Sequence, residues 1–143
     1  MNSNSLQYSE AMDRAAQQPR AAFRKSILGH QEALEELCDV WHECQAEGWD
    51  GYGALAVDQD TYRGAYCLIA SLPLGFPRPS IGAEPDGQLT LEWRKSSSRI
   101  LSVSVDPDGY LHYAGLYGPS KRYGTLAFFS EAPPELIQLV RDL

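Results

Sequence analysis

"QLTLEWR" (residues 88–94) and "ILSVSVD" (residues 100–106) decide how this chain is read. In the first, Leu89, Leu91 and Trp93 alternate with Thr90, Glu92 and Arg94; in the second, Leu101, Val103 and Val105 alternate with Ser102 and Ser104. Successive side chains on a strand point to opposite faces, so each stretch reads as a strand with one apolar and one polar side. Turn residues punctuate the surroundings at short intervals: "PDG" at 85–87, "SSS" at 96–98, "DPDG" at 106–109 and "GPSK" at 118–121. Connections this short join antiparallel neighbours. The economical arrangement is a meander with strands expected over residues 79–84, 88–94, 99–105, 110–117 and 122–129.

Before Pro77 the period is helical instead. Between Ser26 and Glu47 the apolar residues Leu34, Leu37, Cys38, Trp41 and Cys44 recur every three or four positions, which predicts an amphipathic helix stopped by Gly48. In "DQDTYRGAYCLIASL" (residues 58–72), Tyr62, Ala65, Tyr66, Ile69 and Leu72 keep the same spacing, with Asp58 as cap and Pro73 as stop. A last helix is expected after Ser130, its cap, with Pro133 and Pro134 in the first turn and Leu136, Ile137 and Val140 on the apolar side. A short helix near Ser9, interrupted at Pro19, precedes all of these. The predicted class is α+β: an antiparallel meander of four to five strands with helices on one face. A helical N-terminal extension (residues 1–45) shares the core of an α+β domain (residues 46–143).

A chain of 143 residues with 43% hydrophobic and 10% aromatic residues suits one globular domain. It has neither an apolar run of membrane-spanning length nor a signal-peptide core, which predicts a cytoplasmic protein with no membrane association. The cysteines, Cys38, Cys44 and Cys67, are odd in number and match no zinc spacing, as expected of thiols in a reducing compartment. The net charge of −7 argues against direct nucleic-acid binding, which needs clustered Lys and Arg.

Three features are candidates for function. Glu32, Glu36, Asp39, Glu43 and Glu47 are four, three, four and four residues apart and form a negative stripe along the first long helix. It is either a solvated face or a contact surface for a basic partner, one in which spaced carboxylates could stand in for phosphates. "EGWDGYGA" (residues 47–54) threads Trp49, Asp50 and Tyr52 between three glycines. It is expected to be a clasp, with both rings buried and Asp50 accepting backbone N–H bonds, the alternative being a ligand-binding loop. The outward side of the sheet, around Thr90, Glu92, Ser102, Ser104 and His112, is the remaining surface for a partner.

Catalytic chemistry is sparse. Cys38 and His42 stand four apart on a helix, but no second pair supports a metal, and neither a nucleophile elbow nor a phosphate-binding glycine pattern occurs. No cofactor or metal is expected. His112 alternates with Leu111 and Tyr113 and belongs on the solvent side. The basic turn residues Arg94, Lys95 and Arg99, and Lys121 with Arg122, read as solubilising charges.

"EGWDGYGALAV" (47–57), "LPLGFPRPSIGAEPDGQLTLEWR" (72–94), "RILSVSVDPDG" (99–109) and "HYAGLYG" (112–118) resemble a group of small uncharacterised bacterial proteins marked by a "WDGYGA" segment. The resemblance runs from Glu47 to the C-terminus, and such proteins occur in mobile or variable gene neighbourhoods. It implies a paired or accessory role, such as an antitoxin-like or defence-associated protein; the lack of catalytic constellations makes this a non-enzymatic protein that binds a partner protein, and the acidic stripe points to a partner with a basic surface. Two alternatives stand beside it: an acidic, anti-CRISPR-like inhibitor of a nucleic-acid-binding complex, and an enzyme of unrecognised chemistry.

Overall fold

The computed structural model describes residues 30–143, so the expected N-terminal helix near Ser9 lies outside the described residues. Five strands form one sheet in the order β1-β2-β3-β4-β5, every neighbouring pair antiparallel. They are β1 (Ser80–Ala83), β2 (Leu89–Ser96), β3 (Arg99–Val105), β4 (Tyr110–Tyr117) and β5 (Ser120–Ala127). Three helices accompany them: α1 (Gln31–Cys44), α2 (Gln59–Ala70) and α3 (Pro134–Arg141). The class is α+β, as the change of period near Pro77 predicts.

The expected alternation is borne out. Leu89, Leu91, Trp93, Leu101, Val103, Val105 and Leu111 are all at most 3% exposed, while Thr90, Glu92, Ser102, Ser104 and His112 point to the other side. Helices α1 and α2 lie on the apolar face, contributing Ala33, Leu34, Leu37, Tyr62, Ala65, Leu68 and Ile69 to one core. Gly64 lets α2 approach closely, since a Cβ there would sit 3.3 Å from Val105 Cγ1. On the same face of β4 and β5, Gly115 and Gly124 leave room for the Tyr117 and Tyr113 rings; a Cβ would stand 2.6 Å and 2.7 Å from them. Helix α3 completes this layer through Leu136, Leu139 and Val140, and the Tyr117 hydroxyl donates to Leu139 O at 2.6 Å.

The ends of β1, β2 and β5 shift by one or two residues, and three boundaries differ from expectation for a clear local reason. β5 begins at Ser120 rather than at 122, because Gly118 (φ 66°) and Pro119 alone form the turn and Tyr117 pairs directly with Ser120. A glycine in the first central position is the type II′ pattern that matches strand twist. Helix α1 stops at Cys44, before Gly48: the Gly48 N–H, which would continue the helix by bonding Cys44 O, donates instead to Ala54 O at 2.7 Å, and Cys44 O accepts from Val57 N at 2.9 Å. Ser130 is not the cap of α3. It sits at φ 71°, and Pro133 O receives the first helical bonds from Leu136 N and Ile137 N at 3.0 and 3.2 Å. Ser71 Oγ takes up the Ala132 N–H at 2.8 Å and ties the approach to α3 onto the end of α2. By contrast Asp58 does cap α2, its Oδ1 accepting from Thr61 N at 2.8 Å.

Among the described residues no helix is long and apolar enough to cross a membrane.

Candidate functional site

The acidic stripe divides in two. Arg78, from the segment before β1, places Nη1 3.2 Å from Glu32 Oε2 and Nη2 3.2 Å from Glu36 Oε2. Glu36 Oε1 also accepts from the Ile81 N–H at 3.4 Å, so this carboxylate joins α1 to the outer edge of β1. Asp39 and Glu43 are exposed further along the helix and make no ion pair among the described residues. Glu47 is exposed too, but α1 ends at Cys44, so the line of five expected from spacing is not one helical face. Two members serve an internal contact, two point to solvent and one belongs to the following turn.

That turn is built largely as its residues suggest. Asp50 Oδ1 accepts from Tyr52 N at 2.8 Å and from Ala54 N at 3.0 Å, the Asx-turn chemistry expected of it. Gly48, Gly51 and Gly53 all adopt positive φ, between 76° and 83°, a region that glycine enters without strain. Trp49 is half-buried against the core and donates Nε1–H to Leu55 O at 2.9 Å. Tyr52 corrects the expectation of two buried rings: it is 93% exposed. The positive φ at Gly51 and Gly53 turns the chain outward at Tyr52, and Leu55 N then fastens the far arm to Pro85 O at 2.8 Å. The clasp therefore consists of Trp49 and Asp50, with Tyr52 at its tip.

Among the described residues no group of three or more His, Cys, Asp or Glu side chains gathers around Cys38 and His42 on the helix seam. Trp41 stacks on Tyr62 with centroids 4.2 Å apart and planes 7° from parallel. Burial, with Cys38 close by, pushes the Tyr62 phenol well above its ordinary value. His42 is exposed. Sequence reasoning missed His30, which is 4% exposed and places Nε2 2.7 Å from Leu72 O, pinning the start of α1 to the end of α2.

On the face of the sheet that none of the described helices covers, the uncovered face, His112 lies between a carboxylate and a hydroxyl. Its Nε2 is 2.7 Å from Asp106 Oδ2 and its Nδ1 is 3.0 Å from Thr125 Oγ1. Burial alone would raise the Asp106 carboxyl. Hydrogen bonds from His112 and from the backbone N–H groups of Tyr110 and Asp108 outweigh it and hold the group below the ordinary carboxylate value. An aspartate-held imidazole beside a hydroxyl could in principle activate it. Neither the depression on this face nor the one at the end of the sheet includes any of the three residues, and the array joins the β3–β4 turn to β5.

One depression, of about 300 Å³, lies on this uncovered face and is lined by Ile100, Ala114, Leu116 and Tyr123 with Ser102 and Lys121 at its margin. Tyr123 is 81% exposed and Phe129, just beyond β5, 84%. The other, of about 370 Å³, lies at the end of the sheet, where Arg78, Arg94, Lys95 and Arg141 surround Pro77, Trp93 and Val140. A bulge between Arg94 and Ser96 re-aims Lys95 toward it. Arg78 is held by Glu32 and Glu36 and Arg94 by Glu92 at 3.2 Å, so half of this positive cluster is neutralised internally. The cluster joins Arg94 and Lys95, read from sequence as solubilising charges of one turn, to Arg78 and Arg141, which are distant in the chain. The chain matches no family model, no curated protein and no solved structure.

Proposed function

We propose that this protein works by binding another protein, without catalysis of its own, as an antitoxin-like or defence-associated accessory factor. The observation that carries this reading is the uncovered sheet face. Ile100, Leu116, Tyr110 and Tyr123 stand on it in adjoining strands, and α1, α2 and α3 pack on the opposite side. Exposed aromatics that lose little conformational freedom on docking are what binding hot spots are made of. The resemblance of the "WDGYGA" segment and the strands after it to small proteins of mobile or variable gene neighbourhoods supports the accessory setting.

A second reading is favoured by a separate observation: Asp39 and Glu43, one helical turn apart, are exposed and without ion pairs among the described residues. In that reading the protein is an acidic, anti-CRISPR-like inhibitor, and the carboxylates meet a basic surface that otherwise holds nucleic acid.

Affinity capture from the native host separates the two. The partner is expected to be retained by Asp39→Lys/Glu43→Lys and lost with Leu116→Ala/Tyr123→Ala, each variant first shown to fold by circular dichroism. The reverse pattern would establish the second reading, and retention by both variants would refute both surfaces.

A further inference from the structure

The two edges of the sheet are unequal. β1 has four residues, lies against α1 and has its Ile81 N–H taken up by Glu36. β5 has eight residues, and among the described residues no element other than β4 packs extensively along it. The ladder fixes which of its backbone groups are free to pair. Phe128 N–H donates to Gly109 O at 2.9 Å, and the register continues from Tyr110↔Ala127 to Tyr117↔Ser120. Hydrogen-bonded and non-hydrogen-bonded pairs alternate in an antiparallel ladder, so Ser120, Arg122, Gly124 and Leu126 turn their N–H and C=O groups toward β4. Lys121, Tyr123, Thr125 and Ala127 turn theirs outward. The same four side chains stand on the uncovered face, all of them exposed, with the Ile100–Leu116 depression beside Tyr123.

We propose that the outer edge of β5 receives an extended, acidic segment of a partner protein, which adds to the sheet as a sixth strand. The inference rests on the partner-binding reading above and names what is bound. An open row of backbone donors and acceptors is satisfied by another strand and by no other regular structure. The charge selects which strand. β5 carries Lys121 and Arg122 and no carboxylate; Arg122 is occupied by Asp142 at 2.8 Å, whereas Lys121 makes no ion pair among the described residues. A second copy of β5 would bring the same cations to the seam, while an acidic strand meets them with opposite charge. On the uncovered face the incoming side chains stand beside Tyr123 and Thr125, where an apolar residue covers the Tyr123 ring.

The test is selection of random peptides of about ten residues, displayed on phage, against the whole chain, a length matched to a strand of the usual size. Enriched sequences are expected to alternate apolar with Asp or Glu. An enriched peptide, once synthesised, is expected to protect the amides of Lys121, Tyr123, Thr125 and Ala127 from hydrogen exchange. Tyr123→Pro removes one outward donor and no bond to β4, and its affinity is expected to fall by about tenfold or more. Lys121→Glu is expected to weaken binding to the acidic peptide and leave the melting temperature unchanged. No enrichment, basic or helix-patterned sequences, or unchanged affinity in Tyr123→Pro would each overturn the proposal. So would a dimer in gel filtration that Tyr123→Pro dissociates, since the edge would then belong to a second copy. If peptides fail while host capture still yields a partner sensitive to Leu116→Ala/Tyr123→Ala, strand addition falls and the partner-binding reading stands; if capture also fails, both fall.

Discussion

On β3, Leu101, Val103 and Val105 are buried to within 1% of completely, while Ile100, Ser102 and Ser104, one position out of phase on the same backbone, remain partly exposed. Both sets belong to equally regular ladders, so backbone pairing does not distinguish them. The difference lies in what stands above each face: α1, α2 and α3 on one, and none of the three on the other. Period-2 alternation therefore identifies which residues share a face, and the placement of the helices determines how much free energy a residue gains from being there. A protein that hides all its apolar side chains would carry only polar residues on the second face. This one carries Leu116, Tyr110 and Tyr123, and that mismatch is the reason to look there for a partner.

The contrast can be tested by truncating matched residues. Trp93, 3% exposed with Nε1–H donating to Pro77 O at 2.8 Å, is the anchor of the covered face. Trp93→Ala is expected to cost about 3–5 kcal/mol in urea unfolding, from lost burial, the cavity left behind and an orphaned carbonyl. Leu116→Ala, across the sheet, is expected to stay within about 0.5 kcal/mol of the wild type. A core-sized loss for Leu116→Ala would mean that this face is covered in solution, which would break the comparison.

A smaller version of the same contrast exists inside the turn after α1. Trp49 packs against the core and Tyr52 does not, although they are three residues apart in one glycine-rich segment. Trp49→Ala is expected to destabilise by about 1–3 kcal/mol, and Tyr52→Ala by less than about 0.5. Equal effects would show that the tip of the turn is held down after all.

The acid limb of stability tests the polar clamp on the uncovered face. Because the folded-state value of Asp106 lies below the ordinary 3.8, the unfolded chain takes up its proton first as pH falls. The stability this carboxylate contributes is thus complete above the ordinary value and is lost as pH falls through the folded one. Asp106→Asn is expected to flatten the acid-unfolding curve in that window and to lower the melting temperature slightly near neutral pH. His112→Ala, which removes the main hydrogen bond to Asp106, is expected to shift the curve in the same direction. An acid limb identical in all three proteins would detach the array from the stability of the sheet.

The smallest expected effect is in the core. Thr61, on α2, is fully buried, and its hydroxyl has no hydrogen-bond partner among the described residues. Thr61→Val replaces an unsatisfied polar atom with a methyl group of similar size, and is expected to raise stability by up to about 1 kcal/mol. A clear loss on thermal unfolding would indicate that the hydroxyl is bonded in solution.

By itself the sequence determined the classes of element and their order. Alternation in residues 88–94 and 100–106, the Asp58 cap and the turn residues after Pro77 are local signals, and local physics answered them: strand sidedness, one capped helix, an antiparallel meander. It also determined the role of Asp50, whose carboxylate reaches backbone N–H groups only two and four residues away. What tertiary structure alone decided are the relations between residues far apart in the chain. Glu32 and Glu36 lost their place in an open acidic stripe because Arg78, more than forty positions later, comes to rest between them. Arg78, Arg94, Lys95 and Arg141 share one cleft only because the sheet brings its β2 end beside the start of β1 and the end of α3. Tyr52 is exposed although its ring favours burial, because the φ values of the flanking glycines, fixed by how the turn is anchored at Ala54 and Leu55, aim it outward. Spacing along a chain reports which side chains share a face; it carries no information about which distant surface that face will meet. For that reason the β5 edge, made of ordinary residues with an ordinary pattern, emerges as a binding candidate only when the element that closes β1 is seen to have no counterpart there among the described residues.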